Sequence, residues 1–142
     1  MHDTAPSISL PASVREFLAA PRFATIGTID PDGQPRQAVI WYLLEGDELV
    51  INSRVGRRWP TNLLRDGRIS VAVIDPANGL NWVGLVGTTE PITDQAQAQA
   101  DIAAMARRYD EPAAAETSVR SFEQQERISF RIRVASIHDH RD

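Results

Sequence analysis

The chain has 142 residues and a formal net charge of −4, with fifteen basic side chains, all arginine, against nineteen acids and no cysteine. That length suits one domain, residues 1–142, able to bury about two thirds of its unfolded surface without staples. Without cysteine there are no disulfides, thiolate metal centres or cysteine nucleophiles, so any redox role must use a borrowed cofactor.

In chain order, Ser9 to Leu18 carries Leu10, Val14, Phe17 and Leu18 at helical spacing and predicts a short entry helix stopped before Pro21. Phe23 to Ile29 is rich in β-formers, Asp30-Pro31-Asp32-Gly33 is a turn signal, and Gln34 to Leu44 resumes the strand pattern as a hairpin. Glu45-Gly46-Asp47 then reverses the chain into a strand at Glu48–Ser53, followed by a helix over Arg57–Arg65. Ile69 to Ile74 reads as a buried strand, and Asp75 to Gly79 as its turn. Asn81 to Glu90 is a further strand whose Gly84 and Gly87 mark a bend or a close backbone approach. Asp94 and Gln97 resemble a capping box, and Ala98, Ile102, Met105 and Tyr109 form one helical stripe. Asp110 to Ser118 reads as a loop or weak helix, with a short helical segment around Phe122. From Arg127 to Ile137, Ile128, Phe130, Ile132 and Val134 alternate with Arg127, Ser129, Arg131 and Arg133, the clearest strand pattern present. About six strands with few helices predict a mainly β, closed or nearly closed antiparallel barrel.

Between Arg54 and Arg68 lie five arginines (Arg54, Arg57, Arg58, Arg65 and Arg68) against one acid, Asp66. A basic island in an acidic chain suits an anion smaller than nucleic acid, whose long polyphosphate the remaining surface would repel. The strand Glu48–Ser53 leads through Gly56 into a helix, which brings backbone N–H groups and arginines to one point. A phosphate is expected there, with Arg57 and Arg58 as its chief ligands.

The run Ala24-Thr25-Ile26-Gly27-Thr28-Ile29-Asp30-Pro31-Asp32-Gly33 is followed by Pro35 and Gln37 to Trp41, then by Gly56-Arg57-Arg58 with Asn62-Leu63-Leu64-Arg65-Asp66. Val71 to Pro76 and Trp82-Val83 leading to Gly87 and Glu90 complete the set. In this order the motifs resemble the split β-barrel flavin and deazaflavin proteins related to pyridoxamine 5′-phosphate oxidase, in particular the actinobacterial branch that uses coenzyme F420. The likeness covers about residues 10–137.

That resemblance implies a six-stranded split barrel of the FMN-binding type with peripheral helices. It implies a homodimer whose interface holds the cofactor, F420 or alternatively FMN. Backbone from Ala38 to Trp41, including Val39, and from Asn52 to Gly56 (Asn52, Ser53, Arg54, Val55, Gly56) would hold the ring. Arg57, Arg58 and Arg54 would hold the phosphate, and Trp59 stands where many relatives place a lysine ligand. Trp41 and Trp82 either pack in the core or interface or form a wall of the cofactor or substrate pocket. The implied activity is hydride transfer between reduced F420 and a small unsaturated or quinone-like acceptor, with no catalytic side chain required. A non-enzymatic F420-binding or sequestering protein is the alternative from another class.

Other signals point away from further functions. His138-Asp139-His140 has metal-ligand residue types, but in a polar tail it is expected to be solvated or disordered, and no metal site is predicted. No G-x-G-x-x-G, G-x-x-x-x-G-K-[ST], G-x-S-x-G or H-E-x-x-H occurs. No apolar run approaches the ~18 residues of a membrane span, and Met1-His2-Asp3-Thr4 lacks a basic region followed by an apolar core. The expectation is a soluble cytoplasmic protein without nucleic-acid or membrane partners.

Overall fold

The computed structural model describes residues 7–142, and Met1-His2-Asp3-Thr4 lies outside them. The elements are α1 (Ala12–Ala19), β1 (Ala24–Ile29), β2 (Pro35–Ile40), β3 (Leu43–Glu45), β4 (Glu48–Arg54), α2 (Arg58–Arg65), β5 (Arg68–Asp75), β6 (Asn78–Ile92), α3 (Gln95–Tyr109), α4 (Pro112–Phe122) and β7 (Arg127–His140). One sheet holds all seven strands in the order β2-β1-β5-β6-β7-β4-β3, every pairing antiparallel. The neighbours in sequence, β2 and β3, therefore stand at opposite edges, yet only Trp41 and Tyr42 join them. The three Cα–Cα steps from Ile40 to Leu43 reach no more than about 11 Å, so the sheet must curl until its edges nearly meet. Ile26, Leu49, Ile51, Val71, Val83, Leu85, Phe130, Ile132 and Val134 fill the interior, and Val14 and Leu18 of α1 close one side. This is the expected antiparallel split barrel with peripheral helices. No helix among the described residues is long and apolar enough to cross a membrane.

The strand count is seven rather than six because the predicted Gln34–Leu44 strand breaks at Trp41–Tyr42. Tyr42 turns fully into the core, where its hydroxyl donates to the Leu18 carbonyl (2.8 Å). Its N–H goes to the Tyr109 hydroxyl (3.3 Å) instead of a ladder, and burial pushes its phenol far above the usual range. The alanine-rich stretch read as a loop or weak helix is α4, which starts on Pro112, a residue suited to a first helical turn. The last strand does not stop at Ile137. Its pairing with β6 continues to Trp82↔His140, and Trp82 stacks on both His138 (5.0 Å) and His140 (5.4 Å). The histidine tail expected to be solvated or disordered is thus held in the sheet.

Of the two glycines predicted to mark a bend or a close backbone approach, Gly87 lies against backbone and Gly84 against a side-chain ring. A Cβ on Gly87 would lie 1.9 Å from the Arg133 carbonyl oxygen, at a bulge where β7 carries one extra residue, and a Cβ on Gly84 would meet the Trp82 ring at 2.8 Å. Asp94 caps α3 by accepting from the Gln97 N–H (3.2 Å), while the Gln97 side chain turns to Asp101 instead of completing the box.

Candidate functional site

Between the curled sheet and the α3–α4 layer lies a cleft of about 300 Å³. Phe23, Val39, Ile40 and Trp41 form one wall, Ile102, Met105 and Phe122 another, and Asn52, Ser53, Arg54, Arg57, Trp59 and Arg127 the polar end. Seven of the eleven residues singled out in the sequence meet here: Val39, Trp41, Asn52, Ser53, Arg54, Arg57 and Trp59. Val55 and Gly56 form the adjoining turn, in which the Val55 N–H donates to Glu126 O (2.9 Å) and Gly56 adopts φ +97, a left-handed conformation open to glycine. Arg58 lies in a neighbouring groove of about 350 Å³ with Arg36, Gln37 and Ala38; Arg57 and Trp59 line both spaces. Trp82 lines neither. It borders a third hollow on the outer face of β1, β5, β6 and β7, beside Gly27, Ser70, Gly84 and His138.

The Trp41 ring is presented by its neighbours. It lies 5.3 Å from Tyr109 at an interplanar angle of 7°, and Phe23 stacks on Tyr109 at 5.8 Å. The Tyr109 hydroxyl donates to the Arg22 carbonyl (2.6 Å), which anchors the stack to the backbone. Trp59, standing where relatives carry lysine, is nearly buried against Phe130 (5.9 Å) and anchors the start of α2. Its indole is a packing group, so the charge at this end comes from guanidinium groups alone. No side chain caps α2. Pro60 has no N–H and Thr61 N–H is taken by Arg57 O (3.2 Å), which leaves the N–H groups of Arg58 and Trp59 open.

The arginines of the basic island divide sharply. Arg68 pairs with Asp66 (2.7 Å), Arg65 donates to Asn62 and to the Ile29 carbonyl, and Arg58 pairs with Asp30 (3.2 Å). Arg54 and Arg57 have no carboxylate partner among the described residues. Nor has Arg127, which the sequence reading left out of the site. Only 6% exposed, it donates to Asn52 Oδ1 (3.0 Å) and Gln125 Oε1 (2.6 Å), both neutral amides, and lies over the Phe122 ring. Burial, with Arg57 and Arg54 nearby, lowers its guanidinium to about 10. Alternation along β7 showed that Arg127 shares a face with Ser129, Arg131 and Arg133. It held no sign of which part of that face α3 would cover.

Asp30 organises the outer groove. It accepts from Arg36 (2.8 and 3.1 Å), Arg58 and Asn62 (2.9 Å), and the Arg36 bonds first, then Asn62, hold its carboxyl down to about 2. Its folded value lies below the ordinary 3.8, so it contributes stability above about pH 4 that is lost as pH falls toward 2. Accordingly, the urea midpoint of the wild-type chain should exceed that of Asp30→Asn at pH 6, and the gap should shrink steadily between pH 4 and 2. A gap independent of pH would mean that Asp30 is not ionised in this network.

Residues 10–141 match the pyridoxamine 5′-phosphate oxidase family. The chain belongs to that family. Pyridoxamine 5′-phosphate oxidase relatives bind flavins such as FMN. Among solved structures, an F420 reductase superposes with a TM-score of 0.73 at 21% identity, covering 91% of this chain and 98% of that one. A conserved hypothetical protein of Mycobacterium tuberculosis gives 0.76 at 23%, with 99% and 91% covered. The heme storage protein HutZ of Vibrio cholerae gives 0.70 at 16%, with 93% and 95% covered. At such identities the likeness is one of fold, and the oxidase fold hosts more than one ligand chemistry. No curated protein matches the chain.

Proposed function

We propose that this chain is an F420-dependent oxidoreductase that works as a homodimer in the cytoplasm, reducing a small unsaturated or quinone-like acceptor. The observation that carries this reading is that two spaces adjoin, with Arg57 and Trp59 in the lining of both. The cleft has an aromatic wall and arginines without a carboxylate partner among the described residues, suited to a flat ring and its phosphate; the groove beyond it carries Arg36 and Arg58. FMN has an anionic tail that would end at the first space. The longer glutamate-bearing tail of F420 would continue into the second, where guanidinium groups can meet its carboxylates.

When bound, the deazaflavin supplies hydride chemistry, and this chain's residues bind, orient and exclude water. Arg57, Arg54 and the open N–H groups of Arg58 and Trp59 would hold the phosphate, and the backbone of Val39–Trp41 and the Asn52–Gly56 segment would border the ring. A second copy would dock on the outer face of β1, β5, β6 and β7. Small residues (Gly27, Ser70, Ala72, Gly84) leave that face a hollow floor, and Trp82 and His138 wall it.

Titrating the purified chain with F420 and with FMN, followed by turnover assays with quinone-like and enone acceptors, tests the reading. Tighter F420 binding that weakens when the glutamyl tail is removed is expected. Tighter FMN binding, with no gain from the tail, overturns the choice of cofactor; tight F420 binding with no turnover on any acceptor points to sequestration instead.

A further inference from the structure

We propose that Arg127 and Arg54 form an oxyanion-binding site at the polar end of the cleft, taking a carboxylate or phosphate group. The two residues are direct cross-strand partners in the β4–β7 ladder, so their side chains leave the same face of the sheet side by side. Like charges placed opposite each other in a sheet are destabilising. Arg127 is also buried, where a cation without a counter-charge is costly.

The same strand supplies its own comparison. Arg131 pairs with Glu45 (3.1 Å) and Glu48 (3.4 Å), and Arg133 pairs with Glu48 (3.6 Å) and Glu90 (3.3 Å). Both face the same side as Arg127, and both are neutralised. At the cleft end of this face the nearest acid, Asp101, is engaged by Ser129 and Gln97, and Arg127 itself bonds to amides only.

Those amides fix the guanidinium in place. Asn52 accepts from Arg127 through Oδ1 and donates through Nδ2 to Ala98 O (2.9 Å) and Ser129 Oγ (2.9 Å). Ser129 donates to Asp101 (2.7 Å), which Gln97 also holds (2.8 Å). Two of the three guanidinium nitrogens are thereby oriented. Nη2 has no acceptor among the described residues and belongs to a side chain that lines the cleft. An arginine offers five N–H donors in a rigid fork, and a planar or tetrahedral oxyanion is the group that would use the rest. Two molecules could bring it: an acceptor substrate with an acid group, or the cofactor through its phosphate.

Anion binding is measurable without any cofactor, so this proposal does not rest on the deazaflavin reading. Titration of the full chain with inorganic phosphate should show binding that Arg127→Gln weakens at least about thirtyfold and Arg54→Gln about tenfold, the larger loss falling on the buried group that is pre-oriented. Arg131→Gln, equal in charge and on the same strand face, should leave phosphate affinity unchanged. Arg54 is exposed, so its variant carries the test if Arg127→Gln does not fold. Phosphate affinity that survives in Arg54→Gln and Arg127→Gln, or that falls equally in Arg131→Gln, overturns the proposal.

Repeating the titration with saturating F420 separates the two sources. Undiminished phosphate binding assigns the site to the acceptor, and displacement assigns it to the cofactor's own phosphate. Phosphate binding with no F420 binding leaves this site standing while the deazaflavin reading fails.

Discussion

Affinity for F420 should fall at least about a hundredfold when Arg57 and Arg58 are both replaced by alanine. A hundredfold loss corresponds to ~2.7 kcal/mol, within reach of two charge-assisted bonds worth about 1.5–3 kcal/mol each. The two residues should not share the loss equally. Arg57 has no carboxylate partner among the described residues and lines both spaces, whereas Arg58 already donates to Asp30. The Arg57→Ala single variant should therefore account for most of the effect. Arg65→Ala, whose guanidinium is engaged by Asn62 and the Ile29 carbonyl, should change affinity little. Fluorescence titration of the four proteins reads this directly, and an unaltered double variant removes the phosphate from this turn.

Replacing Gly87 by alanine should cost more than about 3 kcal/mol, a large fraction of the roughly 5–15 kcal/mol that holds a domain folded. The new methyl would overlap Arg133 O at 1.9 Å and sit 3.2 Å from Val134 Cα, and both atoms are backbone. No rotamer change relieves such a contact, so β6 and β7 would have to separate at their bulge. Gly33→Ala is the proper comparison. There nothing lies within 4 Å of the added methyl, and the cost is only the φ of +88 in a turn, about 1–2 kcal/mol. Equal urea midpoints for the two variants would contradict the steric account.

The parts of this fold legible in the sequence were those with local causes. Periodicity exposed the β7 core face, the glycine turn and proline marked the approach to α2, and Gly87 flagged the tight approach of β6 to β7. What stayed hidden depends on contacts between distant segments. Tyr42 leaves the strand pattern because Leu18 and Tyr109 hold it, and neither is near it in sequence. His138 and His140 are ordered by Trp82, more than fifty residues away. The basic island was visible as a count of charges, but which charges are already neutralised depends on where Asp30 and Asp66 fall. Arg127 was missed for the complementary reason, since its neighbours Arg54 and Arg57 come from another strand and turn.

Because β2 and β3 are the two sheet edges and are tied by only Trp41 and Tyr42, the barrel's seam runs beside the cleft. Along that seam, main-chain donors and acceptors of Val39 and Ile40 that face away from β1 are not committed to a neighbouring strand. A flat heteroaromatic guest could lie there and recruit them as an added rung would, leaving every existing rung of the sheet intact. The gap left by incomplete closure would thereby serve the proposed cofactor as an edge that reads the polar rim of its ring.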